Sequence, residues 1–134
     1  MSQLLIRDAL LSNLTFNTLL PIAFENSAKP FNPKGLDSYI AQYFLPNITT
    51  SRGKAISSGD ESIGIYQISV YIRAMGDYYD NPALMEIDSL RKAFYIGAVF
   101  DGVRVTGLSQ SNGTVQNGWF KIDLSINFSS YTAR

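Results

Sequence analysis

The sequence predicts an α+β fold, a mostly antiparallel β-sheet with two α-helices packed on it in the order α-β-β-β-α-β-β. Three observations carry that prediction. Tyr66, Ile68, Val70 and Ile72 alternate with Gln67, Ser69, Tyr71 and Arg73, the period-two pattern of a half-buried strand. Leu124, Ile126 and Phe128 continue a second alternation near the end of the chain, and its length places that strand at the centre of the sheet. Two other segments carry apolar residues at helical spacing instead. The 134 residues, 46% hydrophobic and 13% aromatic, suffice for one sizeable core, so a single domain over 1–134 is expected.

The elements follow in order. Ser2 is suited to cap a first helix running to about Asn17, with Leu4, Leu11 and Leu14 on one stripe and Leu5, Ala9 and Phe16 on an adjoining one. Pro21 and Ile22 to Phe24 predict a brief strand, and Asn26 to Gly35, with Pro30, Pro33 and Gly35, predicts a loop. Tyr39, Ile40, Tyr43 and Phe44 favour a strand that stops at Pro46. Asn47 to Ser62 is polar, with Ile48 and Ile56 as its large aliphatics, and reads as a long mobile hairpin loop before the alternating strand. Asn81-Pro82 predicts the start of a second helix over about 82–95, since Asn can cap and Pro needs no N–H partner in the first turn; Ala83, Ile87, Leu90 and Phe94 form its apolar face, and Gly97 its stop. Asn112-Gly113 is a preferred pair for a two-residue type I′ turn, which would set Val105 opposite Phe120, Val103 opposite Ile122 and Arg104 opposite Lys121.

Composition narrows the chemistry. Eleven Lys plus Arg balance eleven Asp plus Glu, so no excess charge points to nucleic acid or an anionic membrane, and copies of the chain can approach without net repulsion. The chain has no Cys and no His, which removes thiolate metal sites, the Cys nucleophile and the usual base of nucleophilic triads. A catalytic role is therefore not expected, and neither is a cofactor. The opening MSQLLIRDALLSNL contains Arg7 and Asp8 and reads as neither a signal peptide nor a membrane span. Asp77 and Asp80 could share a cation, but in Gly76-Asp77-Tyr78-Tyr79-Asp80-Asn81 they suit a turn and cap better, and no metal site is expected. Ser51-Arg52-Gly53-Lys54 lacks the first Gly and the final hydroxyl of a phosphate-binding loop. The candidate interface residues are Arg52 and Lys54, as charged loop tips, and Tyr78 and Tyr79, whose rings offer contact area with one polar end; one of the two tyrosines can equally be core.

Ile22-Ala23-Phe24-Glu25-Asn26, Phe31-Asn32-Pro33 and Gly64-Ile65-Tyr66-Gln67-Ile68-Ser69-Val70-Tyr71, taken in order, resemble the tail-terminator proteins of long-tailed bacteriophages. The resemblance covers nearly the whole chain. It implies a hexameric ring that caps the tail tube, ends its polymerisation and presents a surface to the head connector; its partners would be further copies, the tail-tube protein and a neck protein. It supplies no catalytic residues. A neck or tail-tube subunit is the alternative within virion proteins, and a small carboxylate-based enzyme or ligand-binding module the alternative outside them.

Overall fold

The computed structural model describes residues 3–25, 31–51 and 59–133. Among them the element order is α1 (Gln3–Asn17), β1 (Ile22–Ala23), β2 (Ser38–Ser51), β3 (Gly59–Arg73), α2 (Asn81–Ala93), β4 (Val99–Phe100), β5 (Val103–Gln110), β6 (Thr114–Gln116) and β7 (Trp119–Ala133). The strands form one sheet in the order β1-β2-β3-β7-β5-β4, with β6 beside β7. Only the β1–β2 pairing is parallel; the others are antiparallel. The expected α+β order holds, with β4 and β6 as short additions.

Alternation decides which side of the sheet is covered. Ile40 on β2, Tyr66, Ile68, Val70 and Ile72 on β3, and Ile122, Leu124, Ile126 and Phe128 on β7 share the buried face with Val103 and Val105 of β5. Both helices pack there. α2 contributes Ala83, Ile87 and Leu90, followed by Phe94, as its spacing predicts. In α1 the buried stripe is Ile6, Ala9, Leu10 and Leu14, whereas Leu4, Leu5 and Phe16 are exposed, which corrects the expected stripes. A helix whose apolar residues are spread around its circumference offers several similar stripes, and the one that meets the sheet is settled by packing. The helices are joined where the Asn13 side-chain amide donates to the Ala93 carbonyl at 3.0 Å and the Thr18 hydroxyl donates to Glu86 Oε1 at 2.7 Å.

Three further boundaries differ from expectation. β2 does not stop at Pro46 but continues to Ser51, with Pro46 opposite Gly64 and a bulge before Thr49. β1 borders β2 at Ile40 and Ala41, and among the described residues no strand pairs with Pro46 on that side, so its missing N–H costs no ladder bond there. The expected long loop is correspondingly shorter: 47–51 and 59–62 are strand, and the remaining 52–58, with the mobility expected of them, lie outside the described residues. At α2 the N-cap is Asp80 rather than Asn81, with no side-chain cap bond, and Pro82 still falls in the first turn.

The last hairpin is the largest correction. Val105 faces Phe128, Val103 faces Ser130 and Arg104 faces Ser129. The two-residue turn is Asn117-Gly118, with φ of 53° and 79°, closing the β6–β7 hairpin where Gln116 pairs with Trp119. Gly113 has no positive φ; what its missing Cβ allows is the Phe120 ring, which a Cβ there would overlap. Asp101-Gly102, with φ of 48° and 81°, makes a second such turn between β4 and β5.

The register irregularities of the sheet fall in one row. The β2 bulge between Pro46 and Thr49, Gly64 on β3, Phe128 on β7 and the β5 bulge between Val105 and Gly107 lie side by side. Bulges bend strands and increase twist. At Gly64 the Phe128 ring packs over bare backbone, and it stacks on Phe44 with centroids 5.6 Å apart.

The core also contains polar atoms. Tyr66 is fully buried beside Phe94, and among the described residues its hydroxyl has no hydrogen-bond partner; the same holds for the side-chain carbonyl of Gln42. Burial, then the Glu25 carboxylate, pushes the Tyr66 pKa well above its ordinary 10.0. An orphan buried hydroxyl costs about 1–3 kcal/mol, so Tyr66→Phe is expected to leave stability unchanged or raise it. Because the folded pKa is raised, the neutral Tyr66 contributes fully below the unfolded value near pH 10 and that contribution is lost as pH rises further. Denaturant melts from pH 8 to 11 check both: the alkaline loss should be smaller in Tyr66→Phe, and a variant clearly less stable at pH 8 would show that the hydroxyl is bonded.

Candidate assembly interface

Among the described residues no helix packs on the other side of the sheet. Its side chains come from the alternate positions: Tyr39, Ala41, Tyr43 and Leu45 of β2; Ile63, Ile65, Gln67, Ser69, Tyr71 and Arg73 of β3; Trp119, Lys121, Asp123, Ser125 and Asn127 of β7. The strand register puts Tyr39 beside Tyr71, Tyr71 beside Lys121, and Arg73 beside Trp119.

Those neighbours build an aromatic cluster at one end. The rings of Tyr39 and Tyr71 stack at 4.5 Å and 5°. Trp119 presents an edge contact to Tyr39 at 5.0 Å, and Phe31 packs on Tyr39 at 4.9 Å. The Arg73 guanidinium lies 4.1 Å above the Trp119 ring, held by donation from Nε to the Leu36 carbonyl at 3.2 Å. Burial, followed by neighbouring tyrosines, raises the pKa of both Tyr39 and Tyr71, so both are neutral at ordinary pH. Each of these groups is half-buried rather than covered. Trp, Tyr and Arg held rigid and partly wet are the side chains that anchor protein interfaces.

Next to the aromatic end the middle of the face is polar. The buried Ser69 hydroxyl donates to Asp123 Oδ1 at 2.6 Å, and Lys121 Nζ lies 3.6 Å from the same oxygen. Ser69 is fully buried, and the contact ties β3 to β7 across the middle of this face. Among the described residues no group of three or more His, Cys, Asp or Glu side chains could hold a metal, and no helix is long and apolar enough to cross a membrane. Asp77 is exposed, and Asp80 begins α2 as a turn residue would.

The expected interface residues fall in different places. Tyr78 is 78% exposed on the connection before α2, with a φ of 54°, while Tyr79 is half-buried with its ring edge-on to Phe120 at 5.6 Å. The pair therefore splits into one exposed ring and one packed ring, and neither joins the aromatic cluster. Arg52 and Lys54 lie outside the described residues. The cluster of Phe31, Tyr39, Tyr71 and Trp119 was not singled out from sequence; the opposite phase of the two alternating strands was its available signal.

Comparison with known proteins agrees with this architecture. A solved structure 27% identical to the chain superposes with a TM-score of 0.72, covering 100% of this chain and 96% of that one. A chain from the virion of a native gene transfer agent particle is 17% identical with a TM-score of 0.52, over 96% of this chain and 94% of its own, a likeness of fold. No curated protein matches. The family model described as phage tail terminator protein matches residues 5–128, from the first turns of α1 to the centre of β7. The chain thus belongs to the phage tail terminator family, whose members are structural proteins of the virion tail.

Proposed function

We propose that this chain closes into a ring, expected to be hexameric, on the tip of the tail tube, where it ends polymerisation and offers a surface to the head connector. Its partners are then further copies, the tube protein and a neck protein. The observation that carries the reading is the family match over residues 5–128. Two features of the molecule support it. The side of the sheet opposite the described helices holds half-buried aromatic and Arg anchors, of the kind a protein-binding surface uses. The chain also has no net charge to oppose its own assembly. Tyr78 is the exposed anchor we propose for a partner outside that face, and Arg52 and Lys54 remain proposed contacts by their chemistry. A structural role without catalysis follows the family and the absence of His and Cys.

Deletion of the gene, followed by electron microscopy of the lysate, tests the role. Headless tails of irregular and excessive length are expected, with length control restored in new assembly by adding purified protein. Tails of normal length bearing heads would contradict the proposal, and tails of correct length without heads would reassign the chain to the neck.

A further inference from the structure

Two surface features outside the aromatic cluster lie on opposite sides of the sheet. One is a cleft of about 580 Å³ at the bent row of the sheet, with Leu45, Ile63, Ile65, Thr106 and Asn127 among its walls. Leu45 and Ile65 are cross-strand partners there, 45% and 39% exposed. The other is a ridge at the end of α1, where Phe16 is 89% exposed, Leu19 fully exposed and Phe24 about half.

We infer that the cleft of one copy receives the Phe16 and Leu19 ridge of a second copy. The inference rests on the ring reading and specifies its contact. The ridge belongs to the helix-bearing side, and it lies toward the Ser38 end of the sheet, since Leu20 shares a hollow with Ser38 and Ile72, and Pro21 accepts a bond from the Ile40 N–H. The cleft opens beside Leu45, Ile65 and Asn127, farther along the same strands and on the uncovered side. The ridge of a copy therefore cannot enter that copy's own cleft. Two different complementary patches on opposite sides of a subunit make a head-to-tail contact, and repetition of that contact closes a ring when its rotation allows. The cleft lies within the roughly 300–1,000 Å³ that enclose a small ligand, ample for a phenyl and an isobutyl group. The ridge side chains expose on the order of 400 Å², taking roughly 200 Å² for a whole aromatic side chain. That is about half the 800 Å² each partner buries in a stable complex, so one contact alone makes no lasting dimer. Closure, or the tube as template, is needed to hold it.

The natural absence of Cys makes crosslinking free of background. Leu19→Cys/Ile65→Cys, oxidised in the presence of tail tubes, is expected to give disulfide multimers beyond the dimer, which either single variant cannot form. No species above dimer from the double variant would overturn the contact. Leu19→Asp supplies a second readout, because the side chain is fully exposed and its loss should leave the melting midpoint unchanged. Added to a deletion lysate, it is expected to fail where the unmodified protein restores tail length. Restoration by Leu19→Asp would overturn this contact while leaving the terminator role intact; failure of the unmodified protein would instead overturn the role.

Discussion

Phe94→Ala is expected to lower the unfolding free energy by about 3–5 kcal/mol, the range for emptying a buried aromatic site. Phe94 is fully buried just after α2, edge-on to Phe100 at 5.7 Å and tilted against Tyr66 at 6.4 Å, so it ties the helix end to both β3 and the β4 edge. Collapse around the void is opposed from two sides, because α2 is also fixed by Asn13 through Ala93. Equilibrium urea melts measure the change. A loss below about 1 kcal/mol would mean that the helix end is not packed as described.

Gly64→Val is expected to cost about 3 kcal/mol, from overpacking in the middle of the sheet. A Cβ at Gly64 would stand 2.7 Å from the Leu45 carbonyl oxygen and 2.7 Å from the Phe128 ring. The ring could turn aside, but the carbonyl belongs to the paired strand and cannot move without disturbing the register. The same row shapes the cleft, so this variant should also lose assembly at temperatures where it remains folded. An unchanged melting midpoint would contradict the close packing of Leu45 and Phe128 against Gly64.

The alternation of Tyr66 to Ile72 and of Ile122 to Phe128 was legible because period two survives wherever the strand ends are placed. Register was not. The chain has two Asn-Gly pairs: a turn at Asn112-Gly113 sets Val105 opposite Phe120, whereas the structure turns at Asn117-Gly118 and sets Val105 opposite Phe128, eight residues away. An even shift keeps every side chain on its face, so a consistent burial pattern could not expose the error. Pro46 misled for a related reason: it breaks a central strand but not an edge, and the sequence does not show where β1 ends. The family was legible from short motifs along the chain. The aromatic cluster was not, because Phe31, Tyr39, Tyr71 and Trp119 meet only once β2, β3 and β7 are aligned. The ridge was hidden likewise, since Phe16 matches an apolar stripe of α1 until the sheet selects another.

The central claim is that this chain halts tube growth by occupying the tip, and tube polymerisation in its presence tests that most directly. Purified tube protein elongating from tail tips, with this chain added midway, should stop growing, and electron microscopy should show a ring of extra density on the free end. Tubes that elongate at the same rate to the same final length, with bare ends, would contradict the account.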